Sequence, residues 1–353
     1  MSTTGLAKYF EDFVKNLLTR SGISLTATKD DGFDFLGVSK AGASAAIEVK
    51  LYSSASVSPA LLQRAAAMVA YSAQQKGIAK AILVTNTMVP AGILQELLKL
   101  HRVIVYDYEV ITALASEHID LAAEWERIVG LTRVFRSDYS ARVKSASQDV
   151  DPIRDINEPS PVQFGQATQI QPPPNKGKSL ADEIEKIPSG KNKKAATKFE
   201  KKCTEALKYI FSDDLSAWLE QPTSDSGLNR YDLIARISSE EDFWQCLARD
   251  FRARYVIFEF KNYGEKITQK EIFTTEKYLY PSAMRAAAII ISRQGANENA
   301  KSAARGALRE AGKLIINLSI ADLRSMLEMR DRGESGAEVL LICLDQMLIR
   351  IER

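Results

Sequence analysis

Histidine is nearly missing from this chain of 353 residues, which has only His101 and His118. Catalysis built on imidazole, in a Ser-His-Asp triad, a multi-His zinc site or a His-centred hydrolytic site, needs side chains this sequence barely has. Cysteine is as scarce: Cys203, Cys246 and Cys343 stand far apart with no Cys-x-x-Cys pair. That spacing argues against structural zinc, excludes a disulfide framework and indicates a reducing, cytoplasmic compartment. No apolar run approaches the ~20 residues a membrane-spanning helix needs, and Met1 to Gly5 lack the basic start and apolar core of a signal peptide. Charge of one sign is also missing, since the net charge is +2. A near-neutral total neither favours nor excludes a polyanionic partner, because local clustering decides that.

Carboxylates and lysines are left to carry any chemistry. The hydrophobic fraction of 45% supports a core in each of two domains. Leu6, Phe10, Phe13, Val14, Leu17 and Leu18 fall at helical spacing, and Ser21-Gly22 stops that helix. Strands are expected at 23–28, at 33–38 (carrying Asp34) and at 43–51 (carrying Glu48 and Lys50). A helix over 59–76, a buried strand at 79–85, a helix at 90–100, a strand at 102–106 and a helix from 108 onward follow. Strand–helix alternation of this kind predicts an α/β domain with a central mixed sheet.

Seven of the eleven prolines lie between Pro152 and Pro188, in a stretch rich in Gln, Asn and Ser. It reads as a linker, with a short helix at 180–187. The expected organisation is a first domain over 1–135, a linker over 136–190 and a second domain over 191–353. The second domain repeats the first. Phe10-Glu11 corresponds to Phe199-Glu200, and Phe33-Asp34 to Tyr231-Asp232. Glu48-Val49-Lys50-Leu51-Tyr52 corresponds to Glu259-Phe260-Lys261-Asn262-Tyr263, and Ile82-Leu83-Val84-Thr85 to Ile289-Ile290-Ile291-Ser292. The second copy inserts 238–252, whose Phe243, Trp244 and Leu247 suit a helix. Trp218 and Trp244 are expected in the core rather than as stacking platforms.

Asp followed by strand-borne Glu-x-Lys, found twice, resembles the PD-(D/E)xK nuclease superfamily, the restriction-endonuclease-like fold, and within it the Mrr-like restriction enzymes. The Pro of the family name is missing; Phe33 and Tyr231 stand there. The resemblance implies two tandem domains, each a mixed sheet flanked by helices, that hydrolyse DNA phosphodiester bonds with Mg²⁺ or, in its place, Mn²⁺. It implies Asp34, Glu48, Asp232 and Glu259 as metal ligands, Lys50 and Lys261 as catalytic lysines, and Glu11 and Glu200 as additional helix-borne ligands. Gln63 and Gln269 are weaker candidates for a helix glutamine. On a strand, Glu48 and Lys50 share a face, as do Glu259 and Lys261. Two hard oxygen ligands suit Mg²⁺, and a lysine beside a dication is expected to have a lowered pKa.

Two lysine- and arginine-rich sets stand out: Lys191, Lys193, Lys194, Lys198, Lys201 and Lys202 at the start of the second domain, and Arg252, Arg254, Arg285, Arg293 and Arg305 along it. A DNA backbone is attracted to such a patch, and a solvated junction explains the lysines equally well. The setting implied by the resemblance is bacterial defence against foreign DNA, with a homodimer or a partner protein of a defence system compatible with it. The competing reading is a nucleic-acid-binding or scaffold subunit with one or both sites inactive. RNA as the substrate stays open.

Overall fold

The computed structural model describes residues 3–29, 31–53, 57–132, 151–157, 175–190, 192–221, 231–239 and 241–351. The chain divides into two compact units, 1–174 with 332–334, and 175–331 with 335–353.

The first unit begins with α1 (Thr3–Arg20). Its Phe10, Phe13, Val14 and Leu17 are buried at the expected helical spacing. Five strands follow: β1 (Ser24–Ala27), β2 (Phe35–Val38), β3 (Ser44–Lys50), β4 (Lys80–Thr85) and β5 (Val103–Tyr106). They lie in the order β1-β2-β3-β4-β5. The first three are antiparallel, and β3, β4 and β5 run parallel. The parallel steps need crossovers, and α2 (Pro59–Gln75) and α3 (Ala91–His101) supply them. The expected helix from 108 is two helices, α4 (Tyr108–Ser116) and α5 (Ile119–Thr132).

Strand alternation divides β3 between two layers. Ala45, Ile47 and Val49 pack with Phe10, Phe13 and Trp125. Ala46, on the other face, packs with Leu62, Ala65 and Leu83 under α2. Glu48 and Lys50 continue the row begun by Ala46, so they emerge on the α2 face at the carboxyl end of the strand.

The second unit repeats this plan. It contains α7 (Lys176–Glu185), α8 (Lys193–Ile210), β6 (Leu215–Glu220), β7 (Leu233–Ile237), α9 (Asp242–Arg249), β8 (Tyr255–Lys261), α10 (Gln269–Glu276), β9 (Ala287–Ser292), α11 (Glu298–Ala311), β10 (Leu314–Ser319), α12 (Ile320–Asp331) and α13 (Ala337–Ile349). The sheet runs β6-β7-β8-β9-β10, with the first three strands antiparallel and the last three parallel. The fold is therefore mixed α/β, with two five-stranded sheets flanked by helices. The inserted stretch forms α9, and its Phe243, Trp244 and Leu247 are buried. Trp244 lies in the core, and Trp218 stacks on Phe258 at 6.0 Å.

Two parts of the stretch read as linker are helical. In the first unit, α6 (Pro152–Asn157) buries Ile156 beside Phe10 and Val14, and the Tyr106 hydroxyl donates to Asp155 at 3.0 Å. In the second, α7 starts earlier than the expected helix and is held from far along the chain. The Asp331 carboxylate accepts from the Gly177 and Lys178 N–H groups at 3.0 and 2.9 Å and from the Tyr209 hydroxyl at 2.7 Å. A carboxylate at a helix amino end satisfies orphan N–H groups and complements the dipole. Gly177 permits this approach, because a Cβ there would overlap the Leu327 carbonyl. Proline content hid α6 and the start of α7, since their anchors lie outside the stretch.

Replacing Asp331 by Ala leaves those donors short of their buried acceptor, and is expected to destabilise the second unit by about 2–3 kcal/mol. Urea unfolding followed by tryptophan fluorescence checks this; an unchanged midpoint would show that α7 does not depend on the carboxylate.

Candidate active site

Asp34 sits in the bend just before β2, one residue outside the strand expected to carry it. Its backbone is pinned on both sides: the Asp34 N–H donates to the Ile47 carbonyl, and the Thr28 N–H donates to the Asp34 carbonyl. Phe35 pairs with Ile47, so Asp34 falls level with Glu48 on the neighbouring strand. Its side chain turns into the sheet, where Oδ2 accepts from the Val49 N–H at 2.8 Å. Val49 is the residue between Glu48 and Lys50. The Asp34 carboxylate therefore fixes the backbone from which those two side chains project.

The second unit has the same construction. Asp232 precedes β7, and Leu233 pairs with Phe258, which sets Asp232 level with Glu259. Asp232 Oδ2 accepts from the Phe260 N–H at 2.8 Å, and Phe260 lies between Glu259 and Lys261. Lys50 Nζ lies 2.8 Å from Glu48, and Lys261 Nζ lies 2.6 Å from Glu259. In each unit, an aspartate, a glutamate and a lysine gather at the carboxyl end of the central strand.

These groups are largely out of water, and their proton affinities reflect it. Burial pushes the Glu48 carboxyl from its ordinary 4.5 up to about 7, against the pull of Lys50. Burial also raises Asp34, opposed by the Val49 N–H. Glu259 is raised by burial and then by the Asp232 charge beside it. Burial alone would lower both lysines, but the adjacent carboxylates, Glu48 and Glu259 foremost, hold them above their ordinary value. Beside carboxylates alone, then, each lysine is a firmly held ammonium, the opposite of the lowering expected beside a dication.

The residues fit a divalent cation. Glu259 Oε2 is buried and has no hydrogen-bond partner, an oxygen with lone pairs to offer. Among the described residues no group of three or more His, Cys, Asp or Glu is gathered closely enough to enclose an ion. One or two carboxylates, with the remaining positions left to water and phosphate oxygens, is the ligation Mg²⁺ prefers.

The helix glutamates stand nearby with partners of their own. Glu11 on α1 pairs with Lys8 at 3.0 Å and adds its negative charge to the field on Asp34. Glu200 on α8 accepts from the Gln221 side chain at 2.7 Å and does the same to Glu259. Gln63 donates to Glu96 at 2.8 Å, and Gln269 is exposed at the start of α10.

The basic sets separate. Lys193, Lys194, Lys198 and Lys201 are exposed, Lys202 is tied to Glu183 and Glu205, and Lys191 lies outside the described residues. Arg252 and Arg254 are exposed, and Arg305 is partly so. Arg293 and Arg285 work inside the fold. Arg293 donates to Asn262 and to the carbonyls of Ile184 and Ile187, and the Arg285 guanidinium lies over two tyrosine rings. Tyr278 was not anticipated, although its phenol lies within the field of Glu259, Lys261 and Asp232. No spacing rule signals it, because it reaches the site from a loop beyond α10.

A mixed five-stranded sheet with Asp and Glu-x-Lys at the end of its central strand is the architecture of a nuclease domain of the PD-(D/E)xK type. Residues 6–115 match the family model described as a restriction endonuclease, and this segment is a restriction-endonuclease-like domain of that type. It contains Glu11, Asp34, Glu48 and Lys50. The second unit repeats the sheet order and the placement of the three residues. Over 100 residues, 28% of this chain, the sequence is 29% identical to an 80.3 kDa protein of Escherichia coli (strain K12) named for transposon gamma-delta. The matched segment spans 14% of that protein. No solved structure matches the chain. Among the described residues, no helix is long and apolar enough to cross a membrane.

The raised Glu48 pKa has a consequence for stability. The contribution of its protonated form is complete below 4.5 and is lost as pH rises through about 7. A shift of that size corresponds to roughly 3 kcal/mol. Without added metal, Glu48→Gln is expected to gain stability relative to the unmodified protein between about pH 5 and about pH 8. Denaturant midpoints of both proteins across that range provide the check; a constant difference between them would mean that Glu48 does not titrate there.

Proposed function

We propose that the protein is a metal-dependent endonuclease that hydrolyses DNA phosphodiester bonds, with one site in each unit. The observation that carries this reading is the doubled construction: an aspartate bonded to the N–H between a glutamate and a lysine, at 2.8 Å in both units. A strand edge that merely ended in Glu and Lys has no reason to bury them beside a second carboxylate.

Asp34 with Glu48, and Asp232 with Glu259, would hold Mg²⁺, or Mn²⁺ in its place. The bound ion supplies Lewis-acid chemistry, making a ligated water more acidic and offsetting charge at phosphorus. The chain's own residues do the rest. The aspartates keep the glutamate and lysine on one face of the strand. Lys50 and Lys261, held as ammonium groups, donate to the attacking water or to a phosphate oxygen and offset the negative charge that builds there. Glu48 gives up its proton to become a ligand, so loading of the first site increases as pH rises through about 7.

Exposed Lys193, Lys194, Lys198 and Lys201 offer the polyanion an electrostatic approach to the second unit. A role in defence against foreign DNA fits the restriction-endonuclease family of the first unit, in a soluble cytoplasmic protein acting as a homodimer or with a partner protein.

Plasmid DNA with Mg²⁺ tests the proposal. Lys50→Ala and Lys261→Ala are each expected to retain the cleavage of the untouched unit. The double variant should fall by at least about a hundredfold, the scale of losing a preorganised charge donor. Identical products from the unmodified and double-variant proteins would reject the enzymatic reading and leave a binding or scaffold role. RNA run in parallel decides the substrate class.

A further inference from the structure

The chain between β8 and β9 builds an aromatic wall beside the second site. Glu259 and Lys261 lie on the same face of β8 as Ile257. Ile257 is packed with Tyr231, Ile272 and Leu279, and Tyr278 lies partly buried against that cluster. Tyr231 is the residue immediately before Asp232. Its ring meets the Tyr278 ring edge to face, with centroids 5.1 Å apart and planes at 87°. The Arg285 guanidinium lies over the Tyr231 ring at 5.1 Å and over the Tyr280 ring at 5.3 Å. Tyr280 and Arg285 exchange backbone hydrogen bonds, which close the intervening turn. Tyr280, Arg285, Tyr231 and Tyr278 thus form one stack of rings and a guanidinium. It ends at a half-buried phenol next to the strand end that carries Glu259 and Lys261.

The hydroxyl at the end of this stack has no hydrogen-bond partner among the described residues. Tyr278 is only partly buried, so that hydroxyl is open to a ligand. A phenol keeps its proton at neutral pH, so the oxygen is a donor. The surroundings suit an extended polyanion with stacking faces better than a compact metabolite. Tyr263, Phe273 and Tyr280 are exposed in the same stretch of chain, as are Lys266, Lys270 and Lys277. Exposed rings offer stacking faces to bases, and lysines attract the backbone.

We infer that Tyr278 is a further substrate-contacting residue of the second unit, its hydroxyl donating a hydrogen bond to a phosphate oxygen of the nucleic-acid strand held at Asp232 and Glu259. This rests on the nuclease reading given above. The donor is neutral, so it adds orientation to the phosphate without adding a charge. The first unit has Phe33 where Tyr231 supports the stack, so the arrangement is not a simple copy.

The test uses the full chain carrying Lys50→Ala, in which only the second site should cut. Adding Tyr278→Phe removes one oxygen and keeps the ring against Tyr231, so unfolding temperature should not change. Two readouts are taken: kcat/KM on a labelled DNA duplex with Mg²⁺, and the dissociation constant for that duplex in the Lys50→Ala, Lys261→Ala protein with and without Tyr278→Phe. The expected result is a loss of about tenfold to a hundredfold in kcat/KM. Duplex binding should weaken and the Mg²⁺ concentration at half-maximal rate should stay unchanged. Tyr255→Phe, on β8 away from the carboxylates, serves as the control and should match its parent.

Equal cleavage and equal binding with Phe at 278 would overturn the inference while leaving the nuclease reading intact. A rate loss explained wholly by a shifted Mg²⁺ requirement would also overturn it, assigning Tyr278 to the ligand field instead. If the unmodified protein cuts and Lys50→Ala does not, the second site is inactive and Tyr278 has no substrate to contact. If the unmodified protein leaves DNA intact, the nuclease reading fails, and the inference fails with it.

Discussion

One hydrogen bond, made once in each unit, organises the rest: an aspartate carboxylate accepting the N–H of the residue between the glutamate and the lysine. β3 and β8 each lie between an antiparallel and a parallel neighbour. At their carboxyl ends the antiparallel partner gives way to the bend that carries the aspartate, and the ladder would leave an N–H unpaired. The aspartate takes the place of the missing strand. An unsatisfied N–H at that depth is costly, so the bond favours one backbone path and one side-chain orientation. The glutamate and lysine are then fixed by the pleat and not by their own flexible torsions. A preorganised site needs this, because small displacements of reacting groups cost large factors in rate.

Much of this was legible in the residues. Continuous apolar runs such as Ala-Ile-Leu-Val at 81–84 and Ala-Ile-Ile-Ile at 288–291 marked strands buried on both faces, and period-two spacing put Glu and Lys on one side. The order of elements, read twice, suggested the repeated mixed sheet. What stayed hidden depended on contacts between residues far apart in sequence. Nothing in the residues around Lys176 reveals that Asp331 will cap that helix. Composition marked 136–190 as low in aromatic residues, yet Ile156 and Ile184 find cores made by other elements. Arg285 and Arg293 looked like part of a patch attracting a DNA backbone, because charge suggests a surface. Rings and carbonyls draw them inward, where a guanidinium stacks and donates in its plane. Tyr278 was out of reach for the same reason, since only the fold brings it beside Asp232.

The electrostatics of the strand ends support the proposed site over a merely structural role. A fold selected for stability alone does not hold Glu48 where burial pushes its pKa up to about 7, nor leave Glu259 Oε2 without a partner. Neighbouring lysines offset part of the cost, and the carboxylates remain raised despite them. Under the proposed reading, such tension is what the metal site would show when its charges are considered without the ion. The carboxylates repel one another, and a dication between them would remove the repulsion and the desolvation penalty together. Binding free energy of the ion would then be partly relief of strain already stored in the fold, which ties stability to occupancy.

The two units answer this tension with different surroundings, so the same three residue types need not give equal sites under the proposed reading. Around the second, a stack running from Tyr280 through Arg285 and Tyr231 to Tyr278 sets a neutral donor beside the carboxylates, and exposed rings and lysines share its loop. Around the first, Phe33 occupies the position of Tyr231, and α2 follows β3 with a longer helix than α10. The shared triad sets the chemistry a phosphodiester could undergo, because it fixes where positive charge and hard oxygen meet. Under the proposed reading the unshared shell would set which strand is held there and how firmly, because stacking and neutral hydrogen bonds act on the ground state as well as on the developing charge. A chain built this way can keep one chemistry and change its substrate preference by altering a loop beyond α10, leaving the strand ends untouched.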